Sequence, residues 1–408
     1  MNRVVPKELK QAARDDQLGD DSDGAAGEYE RLTASSPARG KGEGGVSGTA
    51  ASALATSPSS PSSVAGAGAA SGLYEEKDPG CCTCLICCFG CLTLCGCRDW
   101  VCRKMVFFPP PPQYQVQVEV AERGNQKQAI KRHVMYVRDE SGRLGDPYHD
   151  QFFHVYVLPT KRGQRICTMH IIHPGSSITF LVSHGNATDL GLLRNHLLEF
   201  SKVLKVSVYA YDYTGYGLST NHGRPTVGDC LCDISCAFGH LTNVLGVPSN
   251  QVVLYGQSLG TGPTLELARK VPVMGVVIHS GIMSGLRVIR PFIKSTYWFD
   301  IFPNVDIIGE SKAPVFVIHG TNDQEIDIRH GRQLHASAKT KLDPWWVEGG
   351  GHNDIEFDTR HQYFTRLKRF LGLVSKGHSA KYHEQTRITC QPGMVEEKTV
   401  SSRDTAAL

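Results

Sequence analysis

The sequence predicts an α/β chain in which a mostly parallel sheet carries helices on both faces, and three observations predict it. From about Gln113 to Val374, apolar runs with β preference alternate with segments of helical periodicity. One run, Val252 to Tyr255, is apolar throughout, as in a strand buried on both faces. It leads through Gly256-Gln257-Ser258-Leu259-Gly260 into Leu265, Leu267 and Ala268 at helical spacing, which reads as strand, sharp turn, helix.

Taken in order, Phe152 to Leu158 and Ile166 to Ile172 read as opening antiparallel strands, and Ile178 to Ser183 and Val206 to Tyr211 as core strands. Helical spacing covers Leu190 to Leu204 and Asp229 to Leu245. After the Ser258 turn come strands Gly275 to His279, Pro314 to His319 and Trp345 to Val347, then a closing helix from Arg360 to Leu373. Gly281 to Ile308 reads as a short insertion with Phe292, Tyr297, Trp298, Phe299 and Phe302, aromatics that suit either an apolar groove or core packing.

The flanks differ in kind. Residues 1 to 80 are charged and then rich in Ala, Ser, Gly and Pro, a composition that cannot bury enough apolar surface to offset the entropy of ordering. Residues 375 to 408 read as a polar tail of the same sort. The net charge of +3 on 408 residues gives no reason to expect nucleic acid as a partner. No apolar run of about 18 residues reads as a membrane span, and the charged N-terminus lacks the apolar core of a secretory signal. A reducing, cytosolic setting is therefore expected.

Nine of the fourteen cysteines lie in one tract: Cys81, Cys82, Cys84, Cys87, Cys88, Cys91, Cys95, Cys97 and Cys102. Adjacent pairs and reducing surroundings argue against a disulfide knot. Cys81-x-x-Cys84 and Cys88-x-x-Cys91 have zinc-ligand spacing, but no second knuckle follows, so zinc stays the alternative. S-acylation is favoured, because the thiols alternate with Leu85, Ile86, Phe89, Leu92, Leu94 and Trp100 beside Arg98, Arg103 and Lys104. The run Pro109 to Pro112 then reads as a stiff spacer out to the domain at 113 to 374.

A serine on a turn like Gly256 to Gly260 is pushed clear of the sheet, and its hydroxyl needs a base to act as a nucleophile. In that arrangement an acid and then a histidine follow, each in a loop past a later strand. Asp323 falls just past the strand ending at His319, and His352 follows three glycines past the strand ending at Val347. Asp327 and Asp354 are rival carboxylates, and Asp327 fits better as the cap of a helix from Ile328 to Ala336. An oxyanion hole needs two backbone N–H groups. Leu259 supplies one, and Asn186, in His184-Gly185-Asn186-Ala187, is expected to supply the other, with Ala187 as fallback. The loop Asp212 to Gly217 is expected to shape this neighbourhood, and the chemistry asks for no metal or cofactor.

SHGNATDLG, YDYTGYGLS, LYGQSLGT, HGTNDQEID and WVEGGGHNDIE, with the upstream cysteines and FFPPPP, resemble the α/β-hydrolase domain-containing protein 17 family over roughly residues 81 to 374. The resemblance implies an α/β-hydrolase fold with Ser258 as nucleophile, Asp323 as acid, His352 as base and the cysteine tract as an acylated anchor. It further implies a serine hydrolase that removes palmitate from cysteines of membrane-associated proteins at the cytoplasmic face of plasma and endosomal membranes. This chain departs from the pattern in the eighty residues ahead of the cysteines and in its polar tail. A lipid or small-ester hydrolase would use the same residues, and a non-catalytic membrane scaffold is the reading from another class.

Overall fold

The computed structural model describes residues 90–91, 98–122, 129–220 and 224–389. Among the described residues ten strands form one sheet, in the order β1-β2-β3-β4-β6-β5-β7-β8-β9-β10. The strands are β1 (Tyr114–Glu122), β2 (Ala129–Val137), β3 (Phe153–Pro159), β4 (Arg165–Ile171), β5 (Thr179–Ser183), β6 (Ser207–Tyr211), β7 (Val252–Gln257), β8 (Gly275–His279), β9 (Val315–Gly320) and β10 (Trp345–Val347). Pairing is antiparallel from β1 through β4 to β6 and parallel from β6 through β10.

The helices are α1 (Arg98–Met105), α2 (Leu190–Leu204), α3 (Val227–Gly239), α4 (Thr261–Ala268), α5 (Gly285–Ile289), α6 (Asn304–Ile307), α7 (Ile328–Ser337), α8 (Ile355–Asp358) and α9 (Arg360–Thr389). Alternate residues of the central strands face two separate cores. Leu181, Val252 and Leu254 pack with residues of α3, α4 and α7 on one side. Phe180, Val182, Val253 and Tyr255 pack with residues of α2 and α9 on the other. Period-two strands buried on both faces thus produce the uniformly apolar runs of the sequence. No helix among the described residues is long and apolar enough to cross a membrane.

Three elements differ from expectation. The hairpin strands β1 and β2 were not foreseen, because Tyr114–Glu122 alternates Val with Gln and Glu and leaves Val118 and Val120 exposed on an edge. The helix expected over 229–245 starts at Val227, capped by Thr226, and changes to a single wide turn at His240–Val244. The closing helix runs on to Thr389, through residues without proline and with Ala, Lys, Glu, Gln and Arg among them; helix propensity carries it where apolar periodicity has ended. The other part of the tail, residues 390–408, and the 1–80 extension lie outside the described residues.

Topology positions the site. From β5 the chain goes by way of α2 to β6 on one side, then by way of α3 to β7 on the other. The order of strands therefore reverses at β5, and the loops after β5 and β7 face each other across that switch point, where open α/β sheets bind ligands.

Candidate active site

Ser258 follows β7 directly and has φ of 51°, a left-handed conformation that costs a non-glycine residue free energy and recurs where function requires it. The flanking glycines explain how the turn can be so tight. A Cβ on Gly256 would lie 2.6 Å from Thr264 Oγ1, and one on Gly260 would run into the carbonyls of Ser183 and His184. Strand, turn and helix pass within backbone contact of one another, and of β5, only because both positions lack side chains.

Three side chains converge from three loops. His352 Nε2 lies 3.0 Å from Ser258 Oγ, and His352 Nδ1 lies 2.7 Å from Asp323 Oδ2. Ser258 is half-buried, whereas His352 and Asp323 are buried. Burial raises the Asp323 pKa, but hydrogen bonds from His319, His352 and the amide of Ile326 outweigh it and hold the carboxyl well below the usual carboxylate range. The rival carboxylates are occupied elsewhere. Asp327 caps α7 through the Arg329 amide at 2.8 Å, and Asp354 accepts from the Gly351 amide at 2.8 Å. Such a line lets the imidazole take a proton from the hydroxyl while the carboxylate holds its tautomer.

One member of this cluster was not foreseen. His319, at the end of β9, is fully buried, with Nε2 2.7 Å from the Ile326 carbonyl and 3.3 Å from Asp323 Oδ2. Asp323 therefore sits between two histidines. The signal in the sequence is the four-residue spacing from His319 to Asp323.

A second buried network stands behind β7. The Tyr255 hydroxyl lies 2.7 Å from His279 Nδ1, 2.9 Å from the Tyr363 hydroxyl and 3.2 Å from Glu356 Oε1. It ties the strand that ends at Ser258 to α8, which follows His352 closely in the chain.

The loop after β5 lies against the serine. A Cβ on Gly185 would be 3.9 Å from Ser258 Cβ. Among the described residues the backbone N–H of Asn186 has no hydrogen-bond acceptor, while that of Ala187 donates to Asn186 Oδ1 at 3.2 Å. Of Asn186 and its fallback Ala187, Asn186 is the one whose amide meets no acceptor among the described residues. Leu259 lies in the first turn of a helical run, where N–H groups lack intrahelical acceptors. His184 is buried against Tyr213 and Tyr216.

As expected, Asp212 to Gly217 supports this loop. The Tyr213 hydroxyl donates to the His184 carbonyl at 2.7 Å, and that of Tyr216 to Asn186 Oδ1 at 2.7 Å. Thr214 holds the segment to α3 through two bonds to Asp233, at 2.7 Å from its amide and 3.0 Å from its hydroxyl. Burial of Asp233 raises its carboxyl to about 7, against those lowering bonds. Its unfolded value is about 4. Between these, the folded chain keeps a proton that the unfolded chain has lost, so ionisation of Asp233 removes stability as pH rises from about 4 to about 7. Asp233→Asn should abolish that component. In denaturant unfolding at a series of pH values, wild type should lose ground to the variant by up to about 1.4 kcal/mol per pH unit in this window, and not above it. A stability difference independent of pH would contradict the assignment.

In the insertion, Phe299 and Phe302 are core, whereas Phe292 and Trp298 are 70% and 62% exposed. Of the two roles that the sequence left open, Phe299 and Phe302 take core packing, and Phe292 and Trp298 lie at the surface. Of the cysteine tract, Cys91 is a free, exposed thiol and Cys102 lies in α1. Cys81, Cys82, Cys84, Cys87, Cys88, Cys95 and Cys97 lie outside the described residues.

No protein-family model matches the chain. Human alpha/beta hydrolase domain-containing protein 17B is 35% identical over 287 residues, covering 70% of this chain and 95% of that protein. The Caenorhabditis elegans alpha/beta hydrolase domain-containing protein aho-3 is 36% identical over 275 residues, covering 66% and 77%. Among solved structures, the Pyrococcus furiosus esterase Pf2001 is 18% identical with a TM-score of 0.45, covering 54% of this chain and 90% of that one. Sheet order, the Ser258 turn and these relatives define the class, a hydrolase of the α/β-hydrolase fold. Within that class, the chain belongs to the α/β-hydrolase domain-containing protein 17 family.

Proposed function

We propose that this chain is a serine hydrolase that cleaves the thioester between palmitate and a cysteine of membrane-associated proteins. The observation that carries the hydrolytic part is the hydrogen-bonded line from Ser258 through His352 to Asp323 on a left-handed serine turn. The acyl-protein part rests on the resemblance to the family and on a cysteine tract suited to holding the enzyme at a membrane.

In this mechanism His352, oriented by Asp323, takes the Ser258 proton as Oγ attacks the thioester carbonyl. The oxyanion is stabilised by the amides of Leu259 and Asn186. The tetrahedral intermediate collapses, the C–S bond breaks, and the leaving thiolate takes the proton from His352. Water, deprotonated in turn by His352, then attacks the acyl-enzyme and releases palmitate and Ser258. The chemistry uses side chains and amides of this chain only. The purified protein should release palmitate from an S-palmitoyl peptide with a higher kcat/KM than from the matching O-palmitoyl serine peptide or a phospholipid. The reverse order would replace this reading with that of a lipid or ester hydrolase.

Membrane attachment gives a separate expectation. Each buried acyl methylene contributes about 0.8 kcal/mol, so two or more chains make release slow where one is marginal. Changing all nine cysteines, Cys81 to Cys102, to serine should move the protein from membrane to cytosolic fractions. Turnover of a small soluble thioester should persist, and depalmitoylation in cells should fall. Continued membrane binding, or zinc held by unacylated thiols, would contradict the anchor.

A further inference from the structure

We infer that the link following α1, Val106 to Gln113, is not a spacer but a strap that holds the oxyanion loop in its working shape, with the Asn186 side chain as its buckle. The inference rests on the proposed role of the Asn186 amide. Asn186 Nδ2 donates to the Val106 carbonyl at 2.6 Å, and Oδ1 accepts from the Phe108 amide at 3.0 Å. Oδ1 also accepts the Tyr216 hydroxyl and the Ala187 amide. The Asn186 side-chain oxygen is thereby saturated and one Nδ2 hydrogen is used, while the backbone N–H meets no acceptor among the described residues.

The strap has a second stitch. The Gln113 amide donates to Asp189 Oδ2 at 2.8 Å, and Asp189 Oδ1 accepts from Leu192 at the start of α2. A Cβ on Gly191 would lie 3.0 Å from the Gln113 carbonyl, so link and helix are in backbone contact. Between the stitches run Pro109 to Pro112, which have no N–H to donate. Of the three N–H groups in Phe107 to Gln113, those of Phe108 and Gln113 go to side chains of the loop from His184 to Asp189. Phe107 is buried in the same core cluster as Tyr213 and Tyr216. Four prolines fix φ ahead of time, so the strap loses little freedom on docking and holds its two stitches apart rigidly.

This arrangement makes Asn186 both a donor of the oxyanion hole and the point where the stretch leading from the cysteine tract grips the site. The asparagine side chain, Phe108 and Tyr216 act through the loop and are positioning groups. A loose loop would weaken charge stabilisation in the tetrahedral state and leave ground-state binding of the acyl chain unaltered.

The test uses the full chain, a small soluble thioester, and a boronic acid that adds to Ser258 as a tetrahedral adduct. Phe108→Ala keeps the N–H, and Phe108→Pro removes it while also fixing φ and restricting Phe107, so Asn186→Ala and Tyr216→Phe accompany the pair. Phe108→Pro should lower kcat about 10- to 100-fold relative to Phe108→Ala, a part of what loss of an oxyanion donor costs. KM should stay within about two-fold, and boronate affinity should fall in step with kcat. Asn186→Ala should reproduce the loss. Tyr216→Phe, which removes a single hydroxyl from the same oxygen, should give a smaller loss of the same kind and covers the case in which the proline variant does not fold. Equal kcat in Phe108→Pro and Phe108→Ala, or a loss confined to KM, would overturn the strap while Ser258→Ala still tested the nucleophile. A wild type that turned over no thioester would overturn both.

Discussion

Ser258→Ala is expected to abolish hydrolysis and leave the fold intact. Ser258 is half-buried, and among the described residues its hydroxyl has one hydrogen-bonding partner, His352 Nε2. The turn that carries it is held by the packing of Gly256 and Gly260 against α4 and β5, contacts that the substitution does not alter. Alanine meets much the same steric cost as serine at φ of 51°, so melting temperature should shift by a few degrees at most. Loss of the nucleophile of a triad removes about 10⁶ in kcat, and any residual rate would come from binding and the oxyanion hole alone. Labelling by a fluorophosphonate should vanish with activity. A folded Ser258→Ala protein with undiminished thioesterase activity would rule out this nucleophile.

Asp323→Asn should be nearly as damaging, by a different route. One carboxylate oxygen accepts the Glu325 and Ile326 amides at 2.9 and 2.7 Å, and the other faces His352 Nδ1. In asparagine the oxygen stays with the two amides, which turns the NH₂ toward His352. The imidazole must then carry its proton on Nε2, facing Ser258, where it cannot take another. A loss of about 10⁴ in kcat is expected from this tautomer inversion. Asp327→Asn is the control. It keeps an oxygen for the Arg329 amide and loses an exposed ion pair, for a cost in stability of about 1 kcal/mol or less and no loss of kcat. Stability measured alongside kinetics separates the two. If Asp327→Asn were the inactive variant, the acid would have to be reassigned.

The parts of the site that were legible in the sequence are those set by chain order and local sterics. Gly256-Gln257-Ser258-Leu259-Gly260 between an apolar run and a helix is a local pattern, and so is a histidine after three glycines at a strand end. Asp327 could be separated from Asp323 because helix capping is also local. What stayed hidden depends on side chains meeting across long sequence separation. His319 looks like a strand residue until the loop Asn322 to Ile326 folds back onto it. The grip of Asn186 on Val106 and Phe108 spans about eighty residues, and no spacing rule connects FFPPPP to the turn after β5. Strands β1 and β2 escaped for an energetic reason. An edge hairpin partly exposed to water does not need the dense apolar runs by which the central strands announce themselves.

In the proposed mechanism Ser258 carries the acyl group of a thioester during turnover. Rapid mixing of the purified protein with an S-palmitoyl peptide, acid quenching within the first turnover and mass spectrometry of proteolytic fragments would read this directly. Palmitate is expected on the fragment containing Ser258, gone at later times and absent in Ser258→Ala, with deacylation arrested in a His352 variant acylated by an activated ester. Palmitate released without any adduct on that fragment in the quenched samples, or an adduct found on another residue, would contradict it.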